Sequence, residues 1–90
     1  MTDSFRGKVT RVIDGDTFEM KVSRQGRNND YRYNNVERIR ISGTDAPELN
    51  TRGGLRSKQT LQRKLKGKDV NCAVQARDKY GRIIAKVKPV

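Results

Sequence analysis

The feature that most constrains the fold of this chain is a series of short segments in which apolar and polar residues alternate, each closed by a turn. Residues 7–15 (GKVTRVIDG) carry Val9, Val12 and Ile13 and end at the Asp-Gly pair of residues 14–15. Residues 17–22 (TFEMKV) resume with apolar side chains at every second position. Alternation of this kind predicts β-strands, and Asp-Gly is a strong turn signal between them. We therefore predict a β-hairpin at the start of the chain.

The remainder of the chain repeats this pattern with one interruption. Residues 36–42 (VERIRIS) alternate Val36, Ile39 and Ile41 with arginines, with a one-residue slip that indicates a bulge or a late strand start. Residues 55–67 (LRSKQTLQRKLKG) are rich in helix formers, place Leu61 and Leu65 at a spacing of four, and end in glycine. Residues 69–78 (DVNCAVQARD) and 82–90 (RIIAKVKPV) predict two further strands separated by a turn.

Three strands, one helix and two strands match the OB-fold, a five-stranded, partly open Greek-key barrel that often binds nucleic acid. With 90 residues, of which 32% are hydrophobic, the chain can bury one thin core. We therefore predict a mainly β protein with the helix between strands 3 and 4, organised as a single domain over residues 1–90.

The segment of residues 23–35 (SRQGRNNDYRYNN) has no apolar period, so we predict a long basic loop or frayed hairpin tip that projects from the domain. Arginines and tyrosines interleaved in this way could bind a phosphate backbone and stack on bases. An alternative is a solvated loop whose tyrosines fold back on the domain. The candidate substrate-binding residues of this loop are Arg24, Arg27, Tyr31, Arg32 and Tyr33.

The charge of the chain indicates a polyanionic partner. Against 10 acidic residues stand 21 Lys and Arg, which gives a formal net charge of +11, more than solubility alone requires. DNA or RNA is the expected partner.

The residues that are missing exclude several classes of site. Cys72 is the sole cysteine and histidine is absent, which excludes an intrachain disulfide, a zinc-finger pattern, and a Cys-His or Ser-His catalytic pair. We expect Cys72 to be a small buried residue. No apolar run is long enough for a signal peptide or a membrane span, so we expect a soluble chain that does not contact a membrane. The sequence leaves its compartment open, the cytoplasm or another.

Four of the acidic residues are concentrated in two short turns that end strands. Asp14 and Asp16 belong to DGDT, and Asp45 and Glu48 belong to TDAPE. If the turns converge, their carboxylates would raise one another's pKa unless a cation neutralised them, and hard oxygen ligands without histidine or thiolate suit Ca²⁺ or Mg²⁺ rather than zinc. Each motif also has a structural explanation, since Asp-Gly is common in hairpins and Asp45 could cap a turn. Arg40 could equally belong to a solvated face.

Together the motifs are more specific than any one alone. DGDT at residues 14–17, the pattern R-x-x-x-x-D-x-P-E at residues 40–48 and DKYGR at residues 78–82 occur in this order over nearly the whole chain. In this respect the chain resembles the staphylococcal nuclease (thermonuclease-like) family. The resemblance implies an OB-fold and Ca²⁺-dependent endonucleolytic hydrolysis of DNA and RNA with little sequence specificity, leaving 5′-hydroxyl and 3′-phosphate ends.

The resemblance also implies a role for each matching residue. Asp16 and Asp45 would be calcium ligands together with the backbone carbonyl of Ala46, a position where the family often has threonine. Asp14 would not bind the metal directly but would hold the residues that do. Glu48 would position or deprotonate the attacking water. The residues that would contact phosphate are Arg40 and Arg82 at the scissile group, and Lys79 and Tyr80 at a terminal phosphate.

Two questions remain open on the sequence alone: whether the chain is complete, and whether it is catalytic. Family enzymes usually continue past the last barrel strand into helices that pack on it, whereas this sequence ends at Val90, eight residues after Arg82. The chain could be a minimal form, a fragment, or one whose missing cover is supplied by a protein partner. It could also be a non-catalytic OB-fold module with a vestigial nuclease site. We favour the nuclease because a pure binder gains nothing from placing acids where phosphate must approach.

Overall fold

In a computed structural model, which describes residues 3–43 and 52–90, the chain forms five strands and one helix in the predicted order. The predicted position of the helix, between the third and fourth strands, is confirmed. The elements are β1 (Ser4–Asp14), β2 (Thr17–Gln25), β3 (Val36–Ile41), α1 (Arg52–Leu65), β4 (Asp69–Arg77) and β5 (Ile83–Pro89).

The strands close into a barrel in the order β1-β2-β3-β5-β4, with β4 beside β1. Strands β1 and β2, β2 and β3, and β4 and β5 pair antiparallel, whereas β3 and β5 pair parallel. The parallel pair arises because the chain crosses through α1 and β4 before it returns to the edge of β3. This architecture confirms the predicted OB-fold.

The barrel core consists of the apolar side chains that recur at every second position. Phe18 and Met20 of β2, Ile39 of β3 and Ile83 of β5 are completely buried. From α1, the buried side chains of Leu61 and Leu65 join this core, as their spacing of one helical turn predicts. Cys72 of β4 is also buried as expected, and burial raises the pKa of its thiol to about 12.

Strand β1 is longer and less regular than its sequence indicates. Its pairing with β2 shifts register at three places, one of them between Val9 and Arg11. This bulge explains why Val9 and Val12 are both buried although they are three positions apart, an odd spacing that would place them on opposite faces of a regular strand. Gly7 lies so close to β2 that a Cβ atom at this position would collide with the carbonyl oxygen of Lys21.

Strand β3 buries a residue that its sequence pattern did not predict to be buried. Val36, expected to point inward, is exposed, whereas Glu37 is buried and starts a regular alternation with Ile39. The Glu37 carboxylate accepts a hydrogen bond of 2.9 Å from the Asn34 N–H and lies 4.0 Å from the Arg77 guanidinium. These partners stabilise a charged side chain that is buried at the end of the barrel. The one-residue irregularity between Val36 and Ile39 therefore reflects a buried glutamate rather than a bulge.

The segment of residues 23–35, predicted as a long loop or a frayed hairpin tip, is tied to the domain at both ends. Residues 23–25 extend β2, and Tyr33 is buried with its ring centroid 4.8 Å from that of Phe5. The Asp3 carboxylate accepts hydrogen bonds from the Tyr33 hydroxyl at 2.7 Å and from the Asp30 N–H at 2.7 Å. The segment is therefore anchored to the start of β1 by a residue that is distant in sequence.

In the residues that the structure describes, no helix combines the length and the apolar character needed to cross a membrane.

Candidate active site

The turn between β1 and β2 is organised by its two aspartates. The Asp16 N–H donates a hydrogen bond of 3.1 Å to Asp14 Oδ1, and the Thr17 hydroxyl donates one of 3.1 Å to Asp16 Oδ1. Burial pushes the pKa of Asp14 upward, but the hydrogen bonds with Asp16 and Thr17 outweigh it, so this pKa lies below its usual value. Asp14 therefore remains ionised and fixes the turn that presents Asp16, whose side chain is largely buried.

The antiparallel pairing of β2 and β3 brings Arg40 to this turn. Arg40 is the register partner of Thr17, and the N–H of the following residue, Ile41, donates a hydrogen bond of 2.7 Å to the Asp16 carbonyl. The Arg40 Nε lies 3.7 Å from Asp16 Oδ2. The structure thus brings together a predicted metal ligand and a predicted phosphate-binding arginine.

The turn between β4 and β5 holds Arg82 by a different carboxylate. Asp78 Oδ1 accepts hydrogen bonds from the N–H groups of Tyr80 (3.0 Å) and Arg82 (2.9 Å), and its Oδ2 lies 2.6 Å from Arg82 Nε. Gly81 has a φ of 82°, a backbone conformation that glycine adopts without strain. Burial raises the pKa of Asp78, but its hydrogen bonds with Arg82 and Tyr80 hold this pKa below its usual value.

The two arginines lie on the same outer face of the barrel. Ile39 and Ile83 are register partners on the parallel strands β3 and β5, and both are completely buried. Successive side chains of a strand point to opposite faces, so Arg40, which follows Ile39 in β3, points outward, and Arg82 enters the same face from the turn just before Ile83. Guanidinium groups on one face suit the binding of phosphate groups.

Lys79 and Tyr80 form the exposed tip of the same turn. The ring of Tyr80, which is 73% exposed, has Lys79 Nζ 5.2 Å and Arg82 Cζ 5.6 Å from its centroid. This arrangement gathers two cations around an accessible aromatic ring, which suits contact with a nucleotide.

Asp45, Ala46 and Glu48, the remaining predicted site residues, lie outside the described residues. Within the ranges 3–43 and 52–90, no group of three or more carboxylate, thiol or imidazole side chains is placed to hold a metal ion. The Asp16 carboxylate, presented by an ordered turn, is the described member of the predicted ligand set, whose hard oxygen atoms would suit a Ca²⁺ ion.

The loop residues that were predicted to bind substrate divide into two groups. Tyr33 is in the core, which matches for this residue the alternative of a loop whose tyrosines fold back on the domain. The side chains that remain accessible on or beside the loop are Arg24, Arg27, Tyr31 and Arg32.

Sequence reasoning left two charged residues near the site without a role. Arg38 contacts Glu19 across the sheet, with Nη2 and Oε2 3.0 Å apart. Asp78, which orients Arg82, was overlooked although it is the first residue of DKYGR. An aspartate at the start of a Gly-containing turn commonly accepts hydrogen bonds from the following N–H groups, and that signal could have identified it.

The sequence profile of a family described as "Staphylococcal nuclease homologue" matches residues 38–89. An Escherichia coli protein named "Uncharacterized endonuclease" is 37% identical over 81 residues, which cover 90% of this chain and 46% of that protein. A Shigella flexneri protein named "Micrococcal nuclease" is 34% identical over 83 residues, which cover 92% of this chain and 42% of that protein. The chain spans less than half the length of these curated relatives.

Proposed function

This chain belongs to the staphylococcal nuclease family, as its three motifs predict, and we propose that it is a Ca²⁺-dependent endonuclease of DNA, RNA or both. The observation that carries the proposal is the placement of Arg40 within 3.7 Å of Asp16, on the outer face that Arg82 also shares. A surface that only held nucleic acid would have no use for a carboxylate at this point, because it repels the phosphate that the arginines attract.

The arginines supply the phosphate-binding part of the proposed reaction. Hydrolysis of a phosphodiester increases the negative charge on the non-bridging oxygens, and guanidinium groups held in place stabilise that charge. Asp78 holds Arg82 and Asp16 holds Arg40, so neither arginine side chain has to lose much conformational freedom when substrate binds. The planar fork of each guanidinium can donate to two phosphate oxygens at once.

The acidic residues supply the metal-binding and water-activating parts. Asp16 and Asp45, with the Ala46 carbonyl, would hold Ca²⁺, and Asp14 would orient Asp16 through the backbone hydrogen bond that it accepts. When bound, the ion would act as a Lewis acid toward the phosphate oxygens. Glu48 would position the attacking water and accept its proton.

The exposed residues around the site would align the rest of the substrate. Lys79 and Tyr80 are proposed to contact a neighbouring phosphate, and cleavage is proposed to leave 5′-hydroxyl and 3′-phosphate ends. Arg24, Arg27, Tyr31 and Arg32 are accessible near the loop and are proposed to bind the strand further away.

The test is cleavage of labelled single-stranded DNA, double-stranded DNA and RNA by the purified protein, with Ca²⁺, with Mg²⁺ and with a chelator. We expect cleavage with Ca²⁺ that the chelator abolishes, and a loss of about 10²- to 10³-fold in rate for Arg40→Ala and for Glu48→Gln. Nucleic-acid binding without cleavage under all of these conditions would instead identify a non-catalytic binding module.

A further inference from the structure

The outer surface of α1 and the turn after it is the most uniformly charged part of the protein. Residues 52–68 include seven lysines and arginines and no acidic residue. Six of the seven cations are exposed, and among the described residues none of the seven forms an ion pair. These cations are Arg52, Arg56, Lys58, Arg63, Lys64, Lys66 and Lys68.

A groove of about 580 Å³ lies between this helix and the candidate active site. One wall includes Gly15 and Ile41, which adjoin the site because Gly15 lies between the two turn aspartates and Ile41 follows Arg40. The groove therefore borders the turn between β1 and β2 that presents Asp16, next to the site where phosphate is proposed to bind.

The opposite wall is a single stripe of α1. Arg56, Thr60 and Lys64 follow one another at intervals of four residues, with Ser57 beside them. Because a helix rises 1.5 Å per residue, the two cations are separated by about 12 Å along the helix axis. The Thr60 hydroxyl donates to the Arg56 carbonyl at 2.9 Å, so the donors that this wall offers to a ligand are Arg56, Lys64 and the Ser57 hydroxyl.

We propose that the groove is a second phosphate-binding track, in which Arg56 and Lys64 contact backbone phosphates of the same strand on one side of the scissile group. The inference rests on the proposed function for the identity of the ligand. Lysine, arginine and serine side chains are common donors to phosphate oxygens, and they position a strand without reading its sequence. An acidic protein would also be attracted to the cations, but the position of the groove beside the turn that presents Asp16 favours nucleic acid.

The test measures binding alone, so that it does not depend on catalysis. Affinity for a fluorescein-labelled single-stranded DNA is measured by anisotropy in chelator at several salt concentrations. The variant is Arg56→Gln with Lys64→Gln, and the matched control is Arg63→Gln with Lys66→Gln. The control removes the same charge from the helix and the turn directly after it, at positions that do not line the groove. Circular dichroism verifies that both proteins are folded.

For single strands, each lost phosphate contact reduces the slope of log affinity against log salt by about 0.7. We therefore expect the slope of the groove variant to fall by about 1.4, and that of the control to change by less than half as much. Equal changes in the two variants, or none in either, would overturn the proposal, because the cations would then act only through net charge or serve another partner. The binding measurement is independent of the cleavage test of the proposed function. A protein that fails the cleavage test but shows the expected difference in binding would therefore refute the nuclease and retain the groove.

Discussion

Asp78 holds the guanidinium of Arg82 at a distance of 2.6 Å between Oδ2 and Nε, while its other oxygen accepts the Arg82 N–H. The carboxylate thus fixes both the backbone and the side chain of the arginine. Because only Nε is used, the two terminal nitrogens of Arg82 are left to donate to phosphate oxygens. An arginine oriented in this way loses less conformational entropy when substrate binds.

We predict that Asp78→Asn lowers the cleavage rate by up to about 10²-fold, because a guanidinium displaced by about 1 Å no longer matches the phosphate. The loss should appear in kcat more than in KM if Arg82 acts mainly on the transition state. Steady-state cleavage kinetics with a labelled oligonucleotide measure both constants.

The double variant tests whether Asp78 acts through Arg82. If it does, Asp78→Asn should have little further effect in a chain that already carries Arg82→Ala. Losses that multiply in the double variant would show that Asp78 supports activity by another route.

Arg38 and Arg40 offer a comparison within one strand. They lie two residues apart on the same face of β3, but Arg38 is paired with Glu19 and Arg40 with Asp16. We predict that Arg40→Ala lowers the cleavage rate by about 10²- to 10³-fold, whereas Arg38→Ala changes it by less than about threefold. Similar losses in both variants would mean that general positive charge, and not the position of Arg40, supports activity.

The strands and the helix of the barrel could be predicted from the sequence because each depends on a pattern within its own residues. Alternation such as that of Phe18 and Met20 has a period of two, and Leu61 and Leu65 have the period of a helix, so each element is specified by its own residues. The proximity of Asp16 and Arg40 could be predicted for a different reason. The order of the three motifs indicates a family in which residues at these positions belong to one site.

The features that the sequence did not predict depend on contacts between distant residues. Tyr33 is buried because Asp3 binds its hydroxyl across 30 residues, and Glu37 can face inward because Asn34 and Arg77 satisfy its carboxylate. A polar residue inside a barrel contradicts the alternation rule unless its partners are known, and those partners appear only after folding.

Gly7 provides a prediction about stability. A Cβ atom at this position would collide with the backbone of Lys21, so β1 and β2 would have to separate locally. We predict that Gly7→Ala destabilises the protein by about 3 kcal/mol, at the upper end of the range for overpacking. Unfolding in urea measures the change.

The control for Gly7 is Gly67→Ala. Gly67 has a φ of 78°, but no atom lies within 4 Å of the position of its Cβ, so only backbone strain opposes the change. That strain costs about 1 to 2 kcal/mol. A Gly7 variant no less stable than the Gly67 variant would contradict the close approach of the two strands.

Asp3 predicts how stability depends on pH. Hydrogen bonds from the Asp30 N–H and the Tyr33 hydroxyl hold the pKa of Asp3 below its usual value, so the folded chain favours the ionised form. A carboxyl group with a lowered pKa contributes its full stabilisation above its unfolded pKa of about 4, and this contribution is lost as pH falls through the folded value. We therefore predict that Asp3→Asn lowers the melting temperature at pH 7 and that the difference from the natural chain shrinks below about pH 4.

Thermal unfolding followed by circular dichroism between pH 2.5 and 7 measures this difference, with Asp69→Asn, a change at an exposed aspartate, as the control. A difference that stays constant over this range would show that the Asp3 contacts do not depend on its charge.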